Sequence, residues 1–360
     1  MVRCLPVLLA LLCAVAIAEP AAAAVGKPAH VFVIVLENKD AATTFGPNSP
    51  APYLANDLRK RGAFVPNYYG TAHNSLPNYL AMISGQAPTT QTQADCPEFV
   101  DVLPGAPAAD GQTVGQGCVY PGSVRTVADQ LESTGRNWKG YMEDMGDDPA
   151  RDNGTACAHP IVGTPDRTQQ ASANDQYATR HNPFVYFHSI IDEPSCATRD
   201  VPLTELAADL QSAARTPQLS FIVPDLCHDG HDATCADGGP GGLPAADAFL
   251  RTWVPGILNA PAFKDGLLVI TFDEAEDDAS ACCGELPGPN TPQPGIYGPG
   301  GGRTGAVLIS PLIKAGTVTQ QAYNHYGLLR SIEDAFDLAP LGYAAGARPF
   351  GADVYTKGAR

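Results

Sequence analysis

Positive charge is scarce in this chain of 360 residues, which carries 22 Lys and Arg residues against 38 Asp and Glu residues. The formal net charge is −16 at neutral pH. A protein that binds nucleic acid needs a basic face for the phosphate backbone, and polybasic segments are the usual means of docking on anionic lipid. The composition therefore argues against a nucleic-acid partner and against this kind of membrane docking.

The chain also lacks C-x-x-C pairs, internal repeats and Gly/Ser linkers. The absence of C-x-x-C pairs disfavours a structural zinc cluster. Although the length alone would allow about two domains, the absence of repeats and linkers predicts one domain over residues 25–360. Hydrophobic residues make up 44% of the chain, which is enough for a large core and excludes wholesale disorder. The 36 glycines and 33 prolines predict long ordered loops.

The N-terminal segment has the pattern of an export signal. Arg3 precedes an apolar run from Leu5 to Ala18, and small residues follow at positions 21–24. A charged start, an apolar run and A-x-A sites are typical of a secretory signal peptide, so we predict cleavage after residues 1–24 and a secreted protein. The run is too short, and too soon followed by Pro20, for a stable membrane anchor.

Eight cysteines remain after the predicted cleavage, and an even number in an exported chain favours disulfides. Pairs that are close in sequence are plausible, although many pairings are possible: Cys96–Cys118, Cys157–Cys196 and Cys227–Cys235. Cys282 and Cys283 are adjacent, and we expect them to bond elsewhere or to stay unpaired.

Apolar, β-branched runs alternate with helical patterns along the chain, which is typical of an α/β protein with a mainly parallel sheet. Strands are predicted at Val31–Leu36, Leu219–Val223, Leu267–Phe272 and Ala306–Ile309, with an extended segment at Ala63–Tyr69. Helices are predicted at Leu54–Arg61, Ser75–Ser84, Thr126–Thr134, Leu203–Ala214, Ala246–Asn259 and Tyr326–Phe336.

Polar side chains follow three of the predicted strands. They are Glu37 and Asn38 after the first, Asp225, His228, Asp229 and His231 after the second, and Asp273 and Glu274 after the third. Ligands of open α/β sheets bind beyond the carboxyl ends of the strands, so we expect these groups to meet at one edge. Hard oxygen ligands with imidazole suit a divalent cation, which would neutralise the crowded carboxylates. A solvated acidic rim is the alternative, and it suits residues 276–278 better.

Ser75 lies at the start of a predicted helix. The free N–H groups and the dipole at a helix N-terminus favour an anion, so a hydroxyl there is well placed to meet a phosphate. An isolated serine at this position is usually only an N-cap. Beside a cation site, however, Ser75 becomes a candidate nucleophile, and Asn78 becomes a candidate donor to a phosphate oxygen.

Six sequence blocks occur in a fixed order between about Val31 and Phe336: VFVIVLENKD, HNSLPNYLAMISG, RHNPFVYF, SFIVPDLCHDGHD, LLVITFDEAE and NHYGLLRSIEDAF. Together they resemble the bacterial phosphoesterase family, which holds secreted acid phosphatases and phospholipases C. The resemblance implies an alkaline-phosphatase-like three-layer α/β/α fold with a mainly parallel central sheet. In length and block spacing the chain is similar to the short acid phosphatases, including those that act on phosphatidylinositol 3-phosphate.

The resemblance also implies roles for individual residues. Ser75 would be the phosphorylated nucleophile, and His231 or His181 would protonate the leaving oxygen. Asn78, His73 and His181 would contact the phosphate. One or two divalent metal ions would be held by Glu37, Asn38, Asp229, Asp273 and Glu274. The roles of His325, His228 and Asp225 stay open.

The implied function is a secreted, metal-dependent acid phosphatase that hydrolyses phosphate monoesters, lipid-linked ones included, through phosphoserine. A histidine must be protonated before it can act as an acid, so activity is expected to favour mildly acidic pH. A phospholipase C-type phosphodiesterase with the same groups is the main alternative. A non-catalytic binding protein is disfavoured because Ser75, Asn78, Asp273 and Glu274 are all present. The metal's identity and the oligomeric state stay open.

Overall fold

The computed structural model describes residues 26–357. The predicted signal segment, residues 1–24, lies outside the described residues. Fourteen strands occur in the described part, in chain order β1 (His30–Leu36), β2 (Ala63–Val65), β3 (Tyr68–Tyr69), β4 (Glu98–Phe99), β5 (Leu103–Pro107), β6 (Thr113–Gln116), β7 (Trp138–Met142), β8 (Thr164–Pro165), β9 (Asp200–Pro202), β10 (Leu219–Val223), β11 (Gly266–Phe272), β12 (Ala306–Ile309), β13 (Thr317–Val318) and β14 (Tyr323–Asn324).

Eight of these strands form the central sheet, in the order β13-β2-β12-β11-β1-β10-β7-β9. Strands β11, β1, β10, β7 and β9 are mutually parallel. Strand β12 runs antiparallel to both of its neighbours, β11 and β2. The mainly parallel sheet predicted from the alternating pattern is therefore confirmed.

Ten α-helices surround the sheet, in chain order α1 (Ala41–Phe45), α2 (Arg59–Arg61), α3 (Ser75–Ser84), α4 (Val127–Ser133), α5 (Pro149–Asp152), α6 (His188–Ile191), α7 (Cys196–Arg199), α8 (Leu206–Asp209), α9 (Gly242–Asn259) and α10 (His325–Ala335), as far as the described residues go. A π-helical segment, Tyr53–Leu58, precedes α2. Short 3-10 segments lie at Thr92–Ala94, Ala109–Gly111, Thr179–His181, Pro183–Tyr186, Leu203–Glu205, Pro261–Asp265 and Gly342–Gly346.

Strand β1 shows how the layers are built, because every one of its residues is buried. Val31, Val33 and Val35 face one core, which they share with residues of α3, α4 and α10. The alternate residues of β1 face the other core, which α9 covers. A fully buried Val, Leu, Ile or Phe side chain contributes about 1.5–3 kcal/mol, so a strand buried on both faces holds the layers together strongly. The predicted helix–sheet–helix layering is confirmed.

The local pattern located most of the elements. The predicted bounds of α3, β10 and β12 agree with the structure to the residue. The predicted helix Leu203–Ala214 is too long, because its α-helical part ends at Asp209. The carbonyl of Asp209 accepts a hydrogen bond from the hydroxyl of Thr216. Strand β7 was not predicted, because Lys139 and Gly140 interrupt its apolar pattern.

Four disulfides are formed among the described residues. The predicted pairs Cys96–Cys118, Cys157–Cys196 and Cys227–Cys235 are confirmed. The prediction for Cys282 and Cys283 is wrong, because the two bond to each other. The six other cysteines of the described part are already paired, so each of these two has only its neighbour as a partner. In the same part of the chain, no helix is long and apolar enough to cross a membrane.

Glu333 on α10 makes stability depend on pH. Burial raises the pKa of this carboxyl to about 8. Leu341 N–H donates to Oε1 (2.8 Å), whereas Oε2 has no partner among the described residues. The folded state therefore holds a proton that the unfolded state has lost, and stability falls as pH rises from about 4.5 towards about 8.

We expect Glu333→Gln to flatten this pH dependence, because glutamine resembles the protonated acid. Thermal melts of the whole chain at several pH values measure the effect as the difference between variant and wild type. The matched control is Glu193→Gln, which changes an exposed glutamate. Equal pH profiles for wild type and Glu333→Gln would contradict the assignment.

Candidate active site

Three neighbouring strands deliver polar residues to one edge of the sheet. Strand β1 lies between β10 and β11 and is parallel to both, so their carboxyl ends coincide. Glu37 follows β1, and its N–H donates to the carbonyl of Asp229 (2.8 Å) beyond β10. Asp273 follows β11, and its N–H donates to Leu36 (2.9 Å). The groups predicted to share an edge therefore do lie together.

The carboxyl groups of Glu37, Asp229 and Asp273 form the centre of this site, and all three residues are fully buried. Burial, followed by the charges of Asp273 and Asp229, raises the pKa of Glu37 well above its usual range. Burial likewise raises the pKa of Asp229, and raises that of Asp273 to about 6. Crowded, desolvated carboxylates of this kind are unfavourable unless a proton or a cation compensates them.

His181 lies inside the carboxyl cluster. Its Nε2 is 3.5 Å from Glu37 Oε1, and its Nδ1 is 3.3 Å from Asp229 Oδ2. At these distances the ring nitrogens and the carboxyl oxygens are not aligned for hydrogen bonds. Both ring nitrogens therefore lack a hydrogen-bond partner among the described residues. Burial, with the charges of Arg180 and His231, lowers the pKa of His181 well below its usual value. This shift favours the neutral ring, which is the form that binds metals.

The donor set fits a divalent cation. Glu37, His181 and Asp229 offer ligand atoms that all lie within 4.8 Å of one another. Asp229 Oδ2 and Asp273 Oδ2 are buried without a hydrogen-bond partner in the described part of the chain. Buried polar atoms are nearly always paired, so these orphaned atoms, together with the imidazole, mark a position where a cation would complete the site.

Ser75 faces this cluster from the first turn of α3. Its hydroxyl donates to Glu37 Oε2 (2.8 Å), and the residue is only 3% exposed. Tyr79, one turn further along α3, donates to the other oxygen, Oε1 (2.6 Å), and its ring stacks on His181. Both carboxyl oxygens of Glu37 thus accept hydrogen bonds from one face of α3. These contacts fix the Ser75 hydroxyl against the carboxyl cluster.

The N-terminus of α3 differs from the prediction. The predicted anion position above Ser75 is partly taken, because Asp95 Oδ1 accepts the N–H of Leu76 (2.9 Å). Asp95 adopts a positive φ of 56° beside the Cys96–Cys118 disulfide, and this turn directs its carboxylate at the helix. The helix end is therefore already stabilised by an internal negative charge.

Asn78 shapes the loop before Ser75. Its Oδ1 accepts from the N–H groups of Thr71 (2.8 Å) and Ala72 (3.0 Å). Its Nδ2 donates to the carbonyls of Ala72 (2.8 Å) and Asn74 (3.0 Å). Both amide hydrogens are committed, so the prediction that Asn78 donates to phosphate does not agree with this arrangement. Asn78 instead positions the loop before Ser75.

Glu274 and His73 connect the end of β11 to the same loop. His73 Nδ1 lies 2.8 Å from Glu274 Oε2, which also accepts the N–H of Asn74 (2.7 Å). His73 Nε2 is 3.3 Å from the carbonyl of Asp278, so neither ring nitrogen is free for a phosphate. The hydrogen bond to Glu274 raises the pKa of His73. This pair acts on the site by positioning the loop.

Asn38 follows Glu37 directly after the end of β1. Its N–H donates to Asp273 Oδ1 (3.1 Å), and its φ of 50° turns the chain over the site. With its amide nitrogen turned inwards, Asn38 donates to Glu37 Oε2 (3.2 Å) and Glu274 Oε1 (3.1 Å). Asn38 thus links the two carboxyl groups.

A profile of the Phosphoesterase family matches residues 48–339, which is most of the chain. The chain belongs to the phosphoesterase family. It is 26% identical to the phosphatidylinositol-3-phosphatase of Mycobacterium tuberculosis over 91% of this chain and 84% of that protein. It is 27% identical to the phosphate-repressible acid phosphatase of Penicillium chrysogenum over 86% of this chain but only 59% of that longer protein. The chain is a hydrolase acting on phosphoric ester bonds.

Solved structures agree on the fold. A protein of the alkaline phosphatase superfamily from Vibrio parahaemolyticus superposes with a TM-score of 0.50 at 12% identity, covering 91% of this chain and 72% of that one. A putative sulfatase from Bacteroides thetaiotaomicron superposes with a TM-score of 0.51 at 12% identity, covering 93% and 76%. The alkaline-phosphatase-like fold predicted from the sequence blocks is confirmed.

The remaining histidines of this phosphoesterase occupy different environments. His231 is partly exposed, with Nδ1 2.7 Å from Asp232 Oδ1, and it lies close enough for its charge to act on Asp95 and His181. His325 is fully buried between the hydroxyl of Tyr68 and the carbonyl of Asp273, so it has no nitrogen free for a metal.

His228 pairs with carboxyl groups outside the central cluster. Its Nδ1 lies 3.1 Å from Glu143 and 3.3 Å from Asp225. The nearby carboxylates of Asp225 and Glu143 raise its pKa to about 11. Asp225 Oδ1 also accepts the N–H groups of Cys227 (2.9 Å) and His228 (2.8 Å), so this group organises the loop after β10.

Sequence reasoning missed two residues of the site. Tyr79 lies four positions after Ser75 on a helix, a spacing that puts both side chains on one face and was available as a signal. Asp95 carried no such signal, because it lies in a loop and reaches α3 only through the tertiary fold.

Proposed function

We propose that this phosphoesterase is a divalent-metal-dependent phosphatase that hydrolyses phosphate monoesters through a phosphoserine at Ser75. The observation that supports this most is the contact of the Ser75 hydroxyl with Glu37 inside a buried carboxyl cluster. A serine that served only as an N-cap would bond to its own helix, whereas this hydroxyl points into the candidate cation site. Nucleophile and cation site are thus adjacent.

Glu37, Asp229, Asp273 and His181 are the residues that we propose hold the cation. Asn38 and Glu274 were also predicted as metal ligands, and we include them in this group. Asn38 contacts Glu37 and Glu274, and Glu274 also accepts the N–H of Asn74 in the loop before Ser75. When bound, a divalent ion supplies Lewis-acid stabilisation of phosphoryl charge and favours the ionised form of the nearby hydroxyl. The three buried carboxyl groups also lose their mutual repulsion when it binds.

The chain's own residues supply the nucleophile, the proton donor and a positive charge. Ser75 Oγ passes its proton to Glu37 Oε2, the oxygen to which its hydroxyl donates, and bonds to phosphorus while the ester oxygen leaves. Water later attacks phosphorus, and Ser75 Oγ takes its proton back as phosphate is released. His181 is enclosed and its pKa is lowered, which disfavours the protonated form and makes it a poor proton donor. His231 stands at the open side with Asp232 behind its ring, which makes it our candidate for protonating the leaving oxygen. Arg180 supplies positive charge that acts on Asp229 and Asp95.

The relatives support a monoester substrate. Their names, phosphatidylinositol-3-phosphatase and acid phosphatase, describe the removal of single phosphate groups. We therefore propose phosphomonoesters, lipid-linked ones included, as the substrate class. The four disulfides of the described part support the proposal that the protein works outside the reducing cytoplasm.

Metal removal and re-supply test this function. The chain is stripped with a chelator, supplied with Mg²⁺, Ca²⁺, Mn²⁺ or Zn²⁺ in turn, and assayed with para-nitrophenyl phosphate and para-nitrophenyl phosphorylcholine. We expect the stripped protein to be inactive, at least one ion to restore activity, and the monoester to be preferred.

The same assay checks the proton donor. Activity with the restoring ion is expected to be higher at mildly acidic pH than at alkaline pH, because a histidine acid must be protonated. Full activity after stripping would contradict the metal site. A preference for the diester would assign the chain to the phosphodiesterase alternative, and a rate that rises steadily into the alkaline range would exclude His231 as the acid.

A further inference from the structure

A cavity of about 500 Å³ lies outside the candidate active site. It is bounded by the loop at residues 282–286, by β14 with the start of α10, and by residues 342–348. None of the proposed nucleophile, metal or acid residues lines it. Tyr343 N–H donates to Gly85 at the C-terminal end of α3, whereas Ser75 begins that helix. A helix of ten residues is about 15 Å long, so this side of the cavity lies far from Ser75.

The wall formed by residues 282–286 is held in place by Glu285. Its Oε2 accepts the N–H of Cys283 (3.1 Å), and its Oε1 accepts Nδ2 of Asn324 (2.8 Å) on β14. Glu285 thus connects the Cys282–Cys283 disulfide to β14, which forms the neighbouring wall of the cavity. The cavity is formed without a ligand, as is usual for small-molecule sites.

Two tyrosines form the opposite wall. The rings of Tyr326 and Tyr343 meet edge to face with their centroids 5.6 Å apart. Tyr326 is 4% exposed, and its hydroxyl makes no hydrogen bond to another described residue, although the residue lines the cavity. This hydroxyl is therefore available to donate to or accept from a ligand in the cavity.

The charges around the cavity disfavour an anionic ligand. Asp110 and Glu285 contribute negative charge, and both oxygens of Glu285 already accept hydrogen bonds. Arg348 contributes positive charge, but its guanidinium donates to Gln321 Oε1 (2.9 Å). An anion would therefore meet repulsion, whereas a neutral ligand can use the hydrogen-bonding groups of the lining.

We propose that this cavity binds a neutral polyhydroxylated ligand, of the size of a monosaccharide or cyclic polyol. The C–H face of such a ligand packs against the tyrosine rings and the polarisable sulfurs of the vicinal disulfide. Its hydroxyl groups meet the Tyr326 hydroxyl and the polar groups at the rim. The cavity volume lies in the range of small-molecule sites. This site does not depend on the proposed phosphatase mechanism.

Ligand-observed NMR and calorimetric titration of the whole chain test the proposal. The probes are glucose, mannose, galactose and myo-inositol, with glucuronate as the anionic counterpart, because it carries no phosphate for the candidate active site. We expect at least one neutral probe to bind in the millimolar range and to bind more tightly than glucuronate. Tyr326→Phe, which removes only the hydroxyl, is expected to weaken binding about fivefold. Replacing both Cys282 and Cys283 by serine is expected to weaken it further.

The control is Ser75→Ala, which alters the candidate active site and leaves the cavity intact, so binding should be unchanged. Circular dichroism and thermal melts establish that each variant is folded, and Tyr326→Phe remains decisive if the double cysteine variant is not. The proposal is overturned if no neutral probe binds, if Tyr326→Phe binds as wild type does, or if Ser75→Ala abolishes binding.

Discussion

Replacement of Ser75 by alanine is expected to lower kcat for a phosphomonoester by about 10⁴-fold or more, because the reaction then lacks its covalent nucleophile. The Ser75 hydroxyl is the group that donates to Glu37 at the edge of the carboxyl cluster. The change removes one oxygen atom and leaves α3 otherwise intact, so thermal stability should change little. Steady-state assays with para-nitrophenyl phosphate measure the loss.

The covalent intermediate gives a second readout. Acid quenching during turnover, followed by peptide mass spectrometry, is expected to find phosphate on the peptide that contains Ser75 in the wild type and none in the variant. The matched control is Ser84→Ala on the same helix, where the hydroxyl donates to the carbonyl of Leu80 (2.7 Å) far from the cluster. Wild-type turnover by Ser75→Ala, or equal losses in both variants, would refute the role of Ser75.

Replacement of Glu37 by glutamine is expected to separate function from stability. Metal affinity should fall by at least about 100-fold, since a ligand at the centre of the cluster is lost. The metal-free protein should become more stable by about 1–3 kcal/mol at alkaline pH, because one of three buried carboxylates no longer has to be ionised. Calorimetric metal titration and denaturant melts of the stripped protein measure the two effects.

The sign of the stability effect follows from the raised pKa of Glu37. A group with a raised pKa in the folded state binds its proton more tightly there, so its contribution to stability is lost as pH increases. The gain from Glu37→Gln should therefore be small at acidic pH, where the wild-type carboxyl is protonated, and grow with pH. Adding the restoring metal ion should reverse the order, with the wild type then more stable than the variant.

Glu333→Gln is the matched control for Glu37→Gln. It also removes a buried carboxyl group whose pKa is raised by burial, but Glu333 lies on α10 and bonds to Leu341. It should increase stability at alkaline pH without changing metal affinity. A variant Glu37→Gln that keeps full metal affinity, or that is destabilised when metal-free at alkaline pH, would show that the cluster is not a cation site.

The amino-acid sequence by itself determined the scaffold and the location of the site. The apolar runs of β1, β10 and β11 require burial on both faces, and this requirement predicts neighbouring parallel strands. Once these strands are parallel neighbours, the polar residues that follow them must share an edge. Glu37, Asp229 and Asp273 could therefore be placed together without a structure, whereas the three disulfides between cysteines close in sequence were only plausible among many pairings.

The contacts of individual side chains were decided only by the tertiary structure. Asp95 blocks the end of α3 at Leu76, Asn78 turns inwards to the loop, and His181 enters the carboxyl cluster. The contacts of Asp95 and His181 depend on how distant segments pack, whereas Asn78 bonds to the loop just before its own helix. In both cases a hydrogen-bonding group takes whichever partner the fold brings within about 3 Å. Cys282 pairs with Cys283 because the other six described cysteines pair among themselves. Periodicity records which residues are buried, whereas the partner of each buried polar atom is set by the three-dimensional arrangement.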